Sequence, residues 1–316
     1  MREAVTLAQR GLGCLASRSD SMETKHRELA LLKIMLVPLA ALEGYGSPAT
    51  ERVSQRVIVL SEELEDTGSL FAALHGDLLV HVGRAECPAA AKASDRMLAI
   101  ADQSGSEVQQ INARMWAAVI THHMGELALA QKHAEVCIAL GNRQNQAARL
   151  IGIFDPVVGA LAESSRNLWM MGDTRRCLEH TERAIELARE IRHPESLSFA
   201  LLFHAWMHGY REDWAAAIRS TAEAISVGEE HGLVQTMAWN HAVHGWALGH
   251  MGSAAEGLVE LECAIDSSDH GSGRNAALYL HARRTIDYPG PACSGARAHP
   301  PNPENQRDQP RCILQR

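Results

Sequence analysis

The chain has 316 residues, 46% of them hydrophobic and 4% aromatic, and its formal net charge at pH 7 is −8. A chain of this length can bury a long core, and the scarcity of aromatic residues favours helix seams lined by Ala and Leu. The negative charge and the lack of a Lys/Arg block argue against a nucleic-acid partner. The longest apolar run, Leu29 to Leu42, contains Lys33 and Pro38 and is too short to span a bilayer, so no membrane contact is expected.

Taken in chain order, apolar residues recur at spacings of three and four through about fourteen segments, and no stretch shows a convincing period of two. The breaks fall near residues 17–21, 44–47, 65–68, 83–85, 103–106, 124–126, 141–153, 172–173, 193, 212–213, 232 and 252. Asp155 followed by Pro156 supplies a capping carboxylate and a residue fixed at helical φ, which predicts a helix start. His193 and Pro194 predict another. The chain is therefore predicted to be all-α.

A repeat with a period near 40 residues organises these segments. A column of Leu and Ile residues has spacings of 40, 47, 40 and 40: Leu98, Ile138, Ile185, Ile225 and Ile265. Two columns in the same register hold small residues: Ala90, Ala130, Cys177, Ala217 and Gly257, and Ala118, Ser165, Ala205 and Gly245. A further column marks the predicted hairpin turns: Ala85, Gly125, Gly172, Glu212 and Gly252. Such a period indicates stacked helical hairpins that bury their apolar faces against their neighbours.

These columns resemble the tetratricopeptide repeat, a helical hairpin with small residues at the helix crossing and Gly at the turn. The resemblance implies a right-handed α-solenoid of about six hairpins. That family's usual period is about 34 residues, so each hairpin here is longer by roughly one and a half helical turns. We expect the solenoid to span residues 1–285, with a possible subdivision at 141–155, where extra residues produce the 47-residue step.

The Pro-rich and charged stretch 286–316 is predicted to be a disordered tail. Its abrupt change of character suggests a truncated or frame-shifted gene, with a genuine linker as the alternative.

A second resemblance is carried by four stretches. They are RELALLKIMLVPLAALEGYGSPATERV from Arg27, DPVVGALAESSRNLWMMGD from Asp155, AREIRHPESLSFALLFHAWMHGYREDW from Ala188 and TMAWNHAVHGWALGHMGSAAEGLVELECAID from Thr236. They look like the C-terminal repeat region of bacterial proteins that join a class III adenylate or guanylate cyclase domain, an AAA-type ATPase domain and a helical-repeat sensor. The resemblance implies an array that relays a ligand or partner signal to a linked catalytic domain.

No GxxxxGK[ST] run and no metal-binding Asp signature of a cyclase occur in this sequence, so we expect neither an enzyme nor a cofactor. Three functions remain open. The first is a non-catalytic scaffold or sensor that binds a peptide or partner protein on its concave face. The second is a fragment of a multidomain cyclase without its enzymatic domains. The third is a small-ligand-sensing module of a transcriptional regulator.

Histidine is frequent, with 17 residues, but a metal site is not expected. His204 and His244 share a column 40 residues apart, which places them on successive hairpins with axes about 8–10 Å apart. Zinc needs three or four ligands at about 2.0–2.1 Å, and the sequence contains no HExxH. Cys137 and Cys177 occupy columns filled mainly by Ala, which predicts buried small side chains.

Eight residues form the predicted binding row on the concave face. In tetratricopeptide register these residues lie on the first helix of three successive hairpins: Arg166, Met170, Phe199, Trp206, Tyr210, Trp239, Trp246 and His250. Large aromatic side chains anchor a peptide or flat ligand at low entropic cost. The alternative is that these rings pack against following helices and simply close the long hairpins.

The seven cysteines lack a CxxC spacing, and neither end resembles a signal peptide, which favours a reduced, cytoplasmic location. A terminal repeat without a polar cap exposes apolar surface, so self-association through the C-terminal edge is a further expectation.

Overall fold

A computed structural model describes residues 2–15, 21–43, 47–142 and 154–268. Within these ranges the chain forms thirteen α-helices and no β-strand, which confirms the predicted all-α helical-repeat fold. The helices are α1 (Arg2–Leu15), α2 (Met22–Glu43), α3 (Pro48–Glu63), α4 (Thr67–Gly83), α5 (Cys87–Ser104), α6 (Glu107–His123), α7 (Leu127–Gly141), α8 (Pro156–Met170), α9 (Thr174–Glu190), α10 (Pro194–Tyr210), α11 (Trp214–His231), α12 (Val234–His250) and α13 (Ala254–Ser268).

The described residues divide into two compact units, one ending at Gly105 and the other running from Ser106 to Ser268. In the first unit, helices α1 to α5 pack in chain order, each on the next. In the second unit, α6 packs on α7, α8 on α9, α10 on α11 and α12 on α13, which gives four helical hairpins. The predicted end of the solenoid at 285 and the predicted tail 286–316 lie outside the described residues.

The predicted subdivision at 141–155 also lies mostly outside the described residues, which omit 143–153. The helices on its two sides, α7 and α8, pack against each other. The subdivision stays a prediction.

The first unit has its own apolar core. Val5 and Ala8 of α1 pack with Met35 and Leu39 of α2. Cys87, at the start of α5, is disulfide-bonded, which departs from the expectation that the cysteines are reduced. Three other cysteines of the described ranges are not disulfide-bonded: Cys14, Cys137 and Cys177. No helix among the described residues is both long and apolar enough to cross a membrane.

The hairpin turns repeat one backbone conformation at the predicted turn column. Positive φ angles between 59° and 93° occur at all five of its residues: Ala85, Gly125, Gly172, Glu212 and Gly252. Around Glu212, its own N–H donates to the carbonyl of Gly209 at 2.9 Å, and the N–H of Asp213 donates to the carbonyl of His208 at 3.0 Å. These paired bonds are a Schellman motif, which satisfies carbonyls at the helix end and favours Gly at the left-handed residue. The turn prediction is confirmed.

Both predicted helix starts are confirmed by capping bonds. Helix α8 begins directly after Asp155, whose Oδ1 accepts from the N–H of Val157 at 2.9 Å and of Val158 at 3.2 Å. Helix α10 begins after His193, whose Nδ1 accepts from the N–H of Ser196 at 3.3 Å. Each cap satisfies N–H groups that the first helical turn leaves without a partner.

Small residues line the seam inside each hairpin of the second unit. The members of the two small columns there are fully buried: Ala118, Ala130, Ser165, Cys177, Ala205 and Ala217. In the last hairpin both positions are Gly, and a Cβ placed on Gly245 would lie 2.5 Å from the carbonyl oxygen of Gly257. The backbones of α12 and α13 are therefore in direct contact, which only Gly permits at these positions.

Candidate binding site

The first helices of the four hairpins in the second unit form a continuous layer. Helix α6 contacts α8, α8 contacts α10, and α10 contacts α12. We call these four helices the first-helix layer. The predicted row lies on three of them: Arg166 and Met170 on α8, Phe199, Trp206 and Tyr210 on α10, and Trp239, Trp246 and His250 on α12. Neighbouring helices of one layer thus carry all eight residues.

The eight side chains differ in exposure. Phe199 is only 6% exposed and belongs to the hydrophobic core, as the packing alternative predicts. Three residues are partly buried and pack against the same core: Trp206, Trp239 and Trp246. Tyr210, at 41%, and His250 are exposed, whereas Met170 is half-buried at the end of α8. The exposed part of the row therefore lies at the C-terminal ends of α10 and α12.

Five rings meet at these helix ends, and we call them the turn-end cluster: Trp169, Tyr210, Trp214, Trp246 and His250. Trp169 stacks on Tyr210 with ring centroids 5.9 Å apart, and Tyr210 meets the Trp246 ring at 6.1 Å. Trp214 lies parallel to His250 at 4.0 Å and edge-on to Trp246 at 5.0 Å. These contacts hold the exposed rings of Tyr210 and His250 on an aromatic base contributed by other helices.

A notch in α10 receives one ring of this cluster. A Cβ placed on Gly209 would lie 2.4 Å from Cζ3 and 2.8 Å from Cη2 of Trp246. The indole therefore rests on the bare backbone of α10, in space that any larger residue at position 209 would fill. The position of Trp246 is set by a glycine on the neighbouring helix.

A second aromatic group lies nearer the N-terminal ends of the first helices. Phe154, which precedes α8, stacks on Phe199 with centroids 4.3 Å apart and an angle of 13° between the ring planes. Phe199 also contacts Phe203 at 4.9 Å and Trp239 at 6.4 Å, and Phe203 contacts Trp206 at 5.7 Å. The stacked Phe154 ring accounts for the burial of Phe199.

Arg166 is part of a polar group within the layer. Its guanidinium is ion-paired with Glu163 and lies over the Phe203 ring at 5.7 Å. The next residue, Asn167, is completely buried, and its Oδ1 lies 2.5 Å from Nδ1 of His122 on α6. Burial lowers the pKa of His122 to about 3, opposed by its bond to Asn167, so this imidazole is neutral at pH 7 and donates from Nδ1.

The two histidines considered as metal ligands, His204 and His244, both lie within hydrogen-bond distance of hydroxyl groups on α11. Nδ1 of His204 lies 2.8 Å from the hydroxyl of Ser220 in the same hairpin, and Nδ1 of His244 on α12 lies 2.7 Å from that of Thr221 in the preceding hairpin. In the described part of the chain, no group of three or more His, Cys, Asp or Glu side chains could hold a metal ion. Burial raises the pKa of Cys177 to about 11, which disfavours the thiolate form that a nucleophile requires.

Four aromatic residues near the row were not predicted from the sequence: Phe154, Trp169, Phe203 and Trp214. Trp214 begins the second helix of its hairpin, so a search restricted to first helices passes over it. Phe154 lies in the extra residues between α7 and α8 and has no counterpart in the repeat. The usable signal was composition, since all six Trp residues lie in the second unit, from Trp116 onward.

Comparison with solved structures identifies proteins that have a similar architecture. The chain has a helical-repeat fold like that of Rap proteins. A Rap protein complexed with Competence and Sporulation Factor matches with a TM-score of 0.65 and 12% identity, over 92% of this chain and 78% of that one. Aspartyl phosphate phosphatase F from Bacillus subtilis matches with a TM-score of 0.54 and 12% identity, over 90% of this chain and 74% of that one. The apo form of RapI matches with a TM-score of 0.51 and 10% identity, over 91% and 77%.

These identities support a common tetratricopeptide-like fold and nothing finer. No protein-family model matches the sequence, and no curated protein matches it.

Proposed function

We propose that the chain is a non-catalytic interaction module that binds a peptide or a segment of a partner protein on the first-helix layer of its second unit. The observation that carries the proposal is the turn-end cluster, where Tyr210 is 41% exposed on a base of packed Trp rings. Tyr and Trp are the residues that most often dominate binding energy at interfaces, because they contribute large contact areas with few rotatable bonds.

The contacts within the cluster support a preorganised site. Tyr210 lies between Trp169 and Trp246, and His250 is stacked on Trp214, so their rotamers are restricted before any partner arrives. Binding then costs less side-chain entropy than it would with free surface rings. One structural neighbour is a Rap protein in complex with Competence and Sporulation Factor, an example of a partner held by this fold.

The experiment selects peptides that bind the purified chain from a displayed library of random sequences. The affinity of each selected peptide is then measured by fluorescence-anisotropy titration. Tyr210→Ala should weaken binding about tenfold or more, as expected for a central aromatic contact. The matched control is Leu129→Ala, which truncates a side chain of similar exposure, 40%, on the second helix α7. Loss of binding in both variants, or in neither, would contradict the proposed site, and helical circular dichroism must stay unchanged in both.

Replacing Trp206 and Trp246 by Ala separates binding from packing. Both rings pack partly against the core, so some loss of stability is expected. Weaker binding with nearly intact helical content supports a binding role. Loss of the fold would instead assign these two rings to packing.

The link to cyclase or ATPase signalling rests on the sequence resemblance alone, which is carried by residues 27–53 and by stretches within 155–266. Sequencing the coding DNA upstream of Met1 tests it, since an in-phase cyclase or ATPase module would make this chain its sensor region. The purified chain itself should not turn over ATP or GTP with Mg²⁺ or Mn²⁺, and measurable turnover would contradict the non-catalytic assignment.

Self-association through α13 is supported by Val259, which is 58% exposed on this last described helix. Sedimentation over a hundredfold concentration range should reveal dimers that Val259→Glu abolishes. A monomer at all concentrations contradicts this part of the proposal.

A further inference from the structure

Formal charge is distributed very unevenly between the helices of the second unit. Helix α12 has no Asp, Glu, Lys or Arg, α10 has one such residue, and α8 has two. The second helix α9 alone carries four Arg and four Glu. The three first helices that carry the binding row therefore form an almost uncharged surface.

Each of the three charged residues of this surface is either ion-paired or buried. Glu163 and Arg166 are ion-paired with each other on α8. Glu195, near the start of α10, is buried, and burial raises the pKa of its carboxyl. A charged ligand side chain placed here would lose its hydration without gaining a free counter-charge, which is costly.

The chain itself shows which side chain this layer accepts. Phe154 stacks on Phe199 at 4.3 Å, and the N–H of Asp155 donates to Oγ of Ser196 on α10 at 2.8 Å. A Cβ placed on Gly159 of α8 would lie 2.7 Å from Cε2 of Phe154, so the phenyl ring fills a notch in that helix. In sequence, this Phe ends the uncharged run Leu-Ile-Gly-Ile-Phe, residues 150–154.

From these observations we infer that the ligand of the first-helix layer is an uncharged, extended peptide segment with aliphatic and phenyl side chains. Its rings stack on the turn-end cluster, and its aliphatic side chains pack on the almost uncharged surface of α8, α10 and α12. The inference rests on the proposed function and specifies the chemical class of the partner.

The test uses three fluorescein-labelled peptides with amidated C-termini on the full-length chain. One carries Leu-Ile-Gly-Ile-Phe, copied from residues 150–154, and the others replace its second Ile by Glu or by Lys. The uncharged peptide should bind saturably, and each charged peptide about tenfold or more weaker. Raising NaCl from about 50 to about 500 mM should change the dissociation constant less than about twofold, because no charge pair contributes.

One variant and its control locate the site. Tyr210→Ala should weaken binding of the uncharged peptide about tenfold or more. Leu129→Ala, on the second helix α7, should bind the peptide normally, and helical circular dichroism should be unchanged in both variants.

The outcomes separate this inference from the proposed function. Equal binding of the charged and uncharged peptides overturns the inference. A second result also overturns the inference: the uncharged peptide fails to bind, whereas display selection yields charged peptides whose binding depends on Tyr210. In that case the proposed function still stands. If no peptide of either kind binds, both are overturned.

Discussion

Replacing Gly209 by Ala offers a sharp test of the turn-end cluster, because the change adds one methyl group to α10 and deletes none of the rings. The new Cβ would lie 2.4 Å from Cζ3 of Trp246, well inside van der Waals contact. Trp246 must therefore leave its notch. It would give up contacts with Trp214 at 5.0 Å, His250 at 5.7 Å and Tyr210 at 6.1 Å.

The expected cost follows from these ring pairs. Each aromatic pair contributes about 0.5–1.5 kcal/mol, so displacing the indole from three partners costs about 1.5–4.5 kcal/mol. Ala is better than Gly inside a helix by about 1 kcal/mol, which offsets part of that cost. Gly209→Ala should therefore lower the free energy of unfolding by about 0.5–3.5 kcal/mol, against the usual gain for this substitution in a helix.

Urea unfolding followed by Trp fluorescence is the assay, since all six Trp residues lie in the second unit. The decisive comparison is a double-mutant cycle with Trp246→Leu. Once the indole is absent, Ala at 209 should be neutral or stabilising by up to about 1 kcal/mol, giving a coupling energy of about 2 kcal/mol. If Gly209→Ala costs the same in both backgrounds, the notch does not position Trp246 and the reasoning fails.

Three further changes are checked by the same unfolding assay. Glu212→Gly should raise the free energy of unfolding by about 1 kcal/mol, because Glu212 has a φ of 61° that Gly adopts more easily; unchanged stability would argue against strain at this turn. Gly245→Ala should lower it by about 2 kcal/mol, because its Cβ would lie 2.5 Å from the Gly257 carbonyl oxygen, and a stabilised variant would mean that α12 and α13 can separate freely. Burial lowers the pKa of His122 to about 3, below its unfolded value of about 6.5, so its contribution is complete above pH 6.5 and is lost as the pH falls. From pH 7.5 to 5.5 the wild-type chain should lose about 1.4 kcal/mol more than His122→Gln, and equal losses would show that this histidine is not buried neutral.

The sequence predicted the repeating parts of the fold. The column from Ala85 to Gly252 correctly marked five turns, including the two where Ala and Glu stand in place of Gly. Asp155 and His193 correctly marked helix starts. These features are local, because a turn or a cap is decided by neighbouring residues along the chain. Because the turns recur at a fixed spacing, they could be predicted even at Ala85 and Glu212, where the residue is not Gly.

The arrangement of the aromatic side chains could not be predicted in the same way. Phe154 stacks on Phe199 from outside the repeat, and Trp214 reaches His250 from a second helix. Such contacts depend on how closely two helices approach and which rotamers fit there, and neither quantity is periodic in sequence. The register placed the row on one helix layer, but it could not show that Phe199 would be buried.

Because these turns share one backbone conformation, the 40-residue segments between them are interchangeable. Gly172, Glu212 and Gly252 stand 40 residues apart in the same left-handed conformation, and the next helix begins two residues after each of them. A stretch of 40 codons cut out after one such turn would therefore rejoin another turn with matching ends. Duplication or loss of such stretches changes the number of helical hairpins while leaving every turn intact. In this architecture, gene recombination can lengthen or shorten the helical array without requiring a new type of connection.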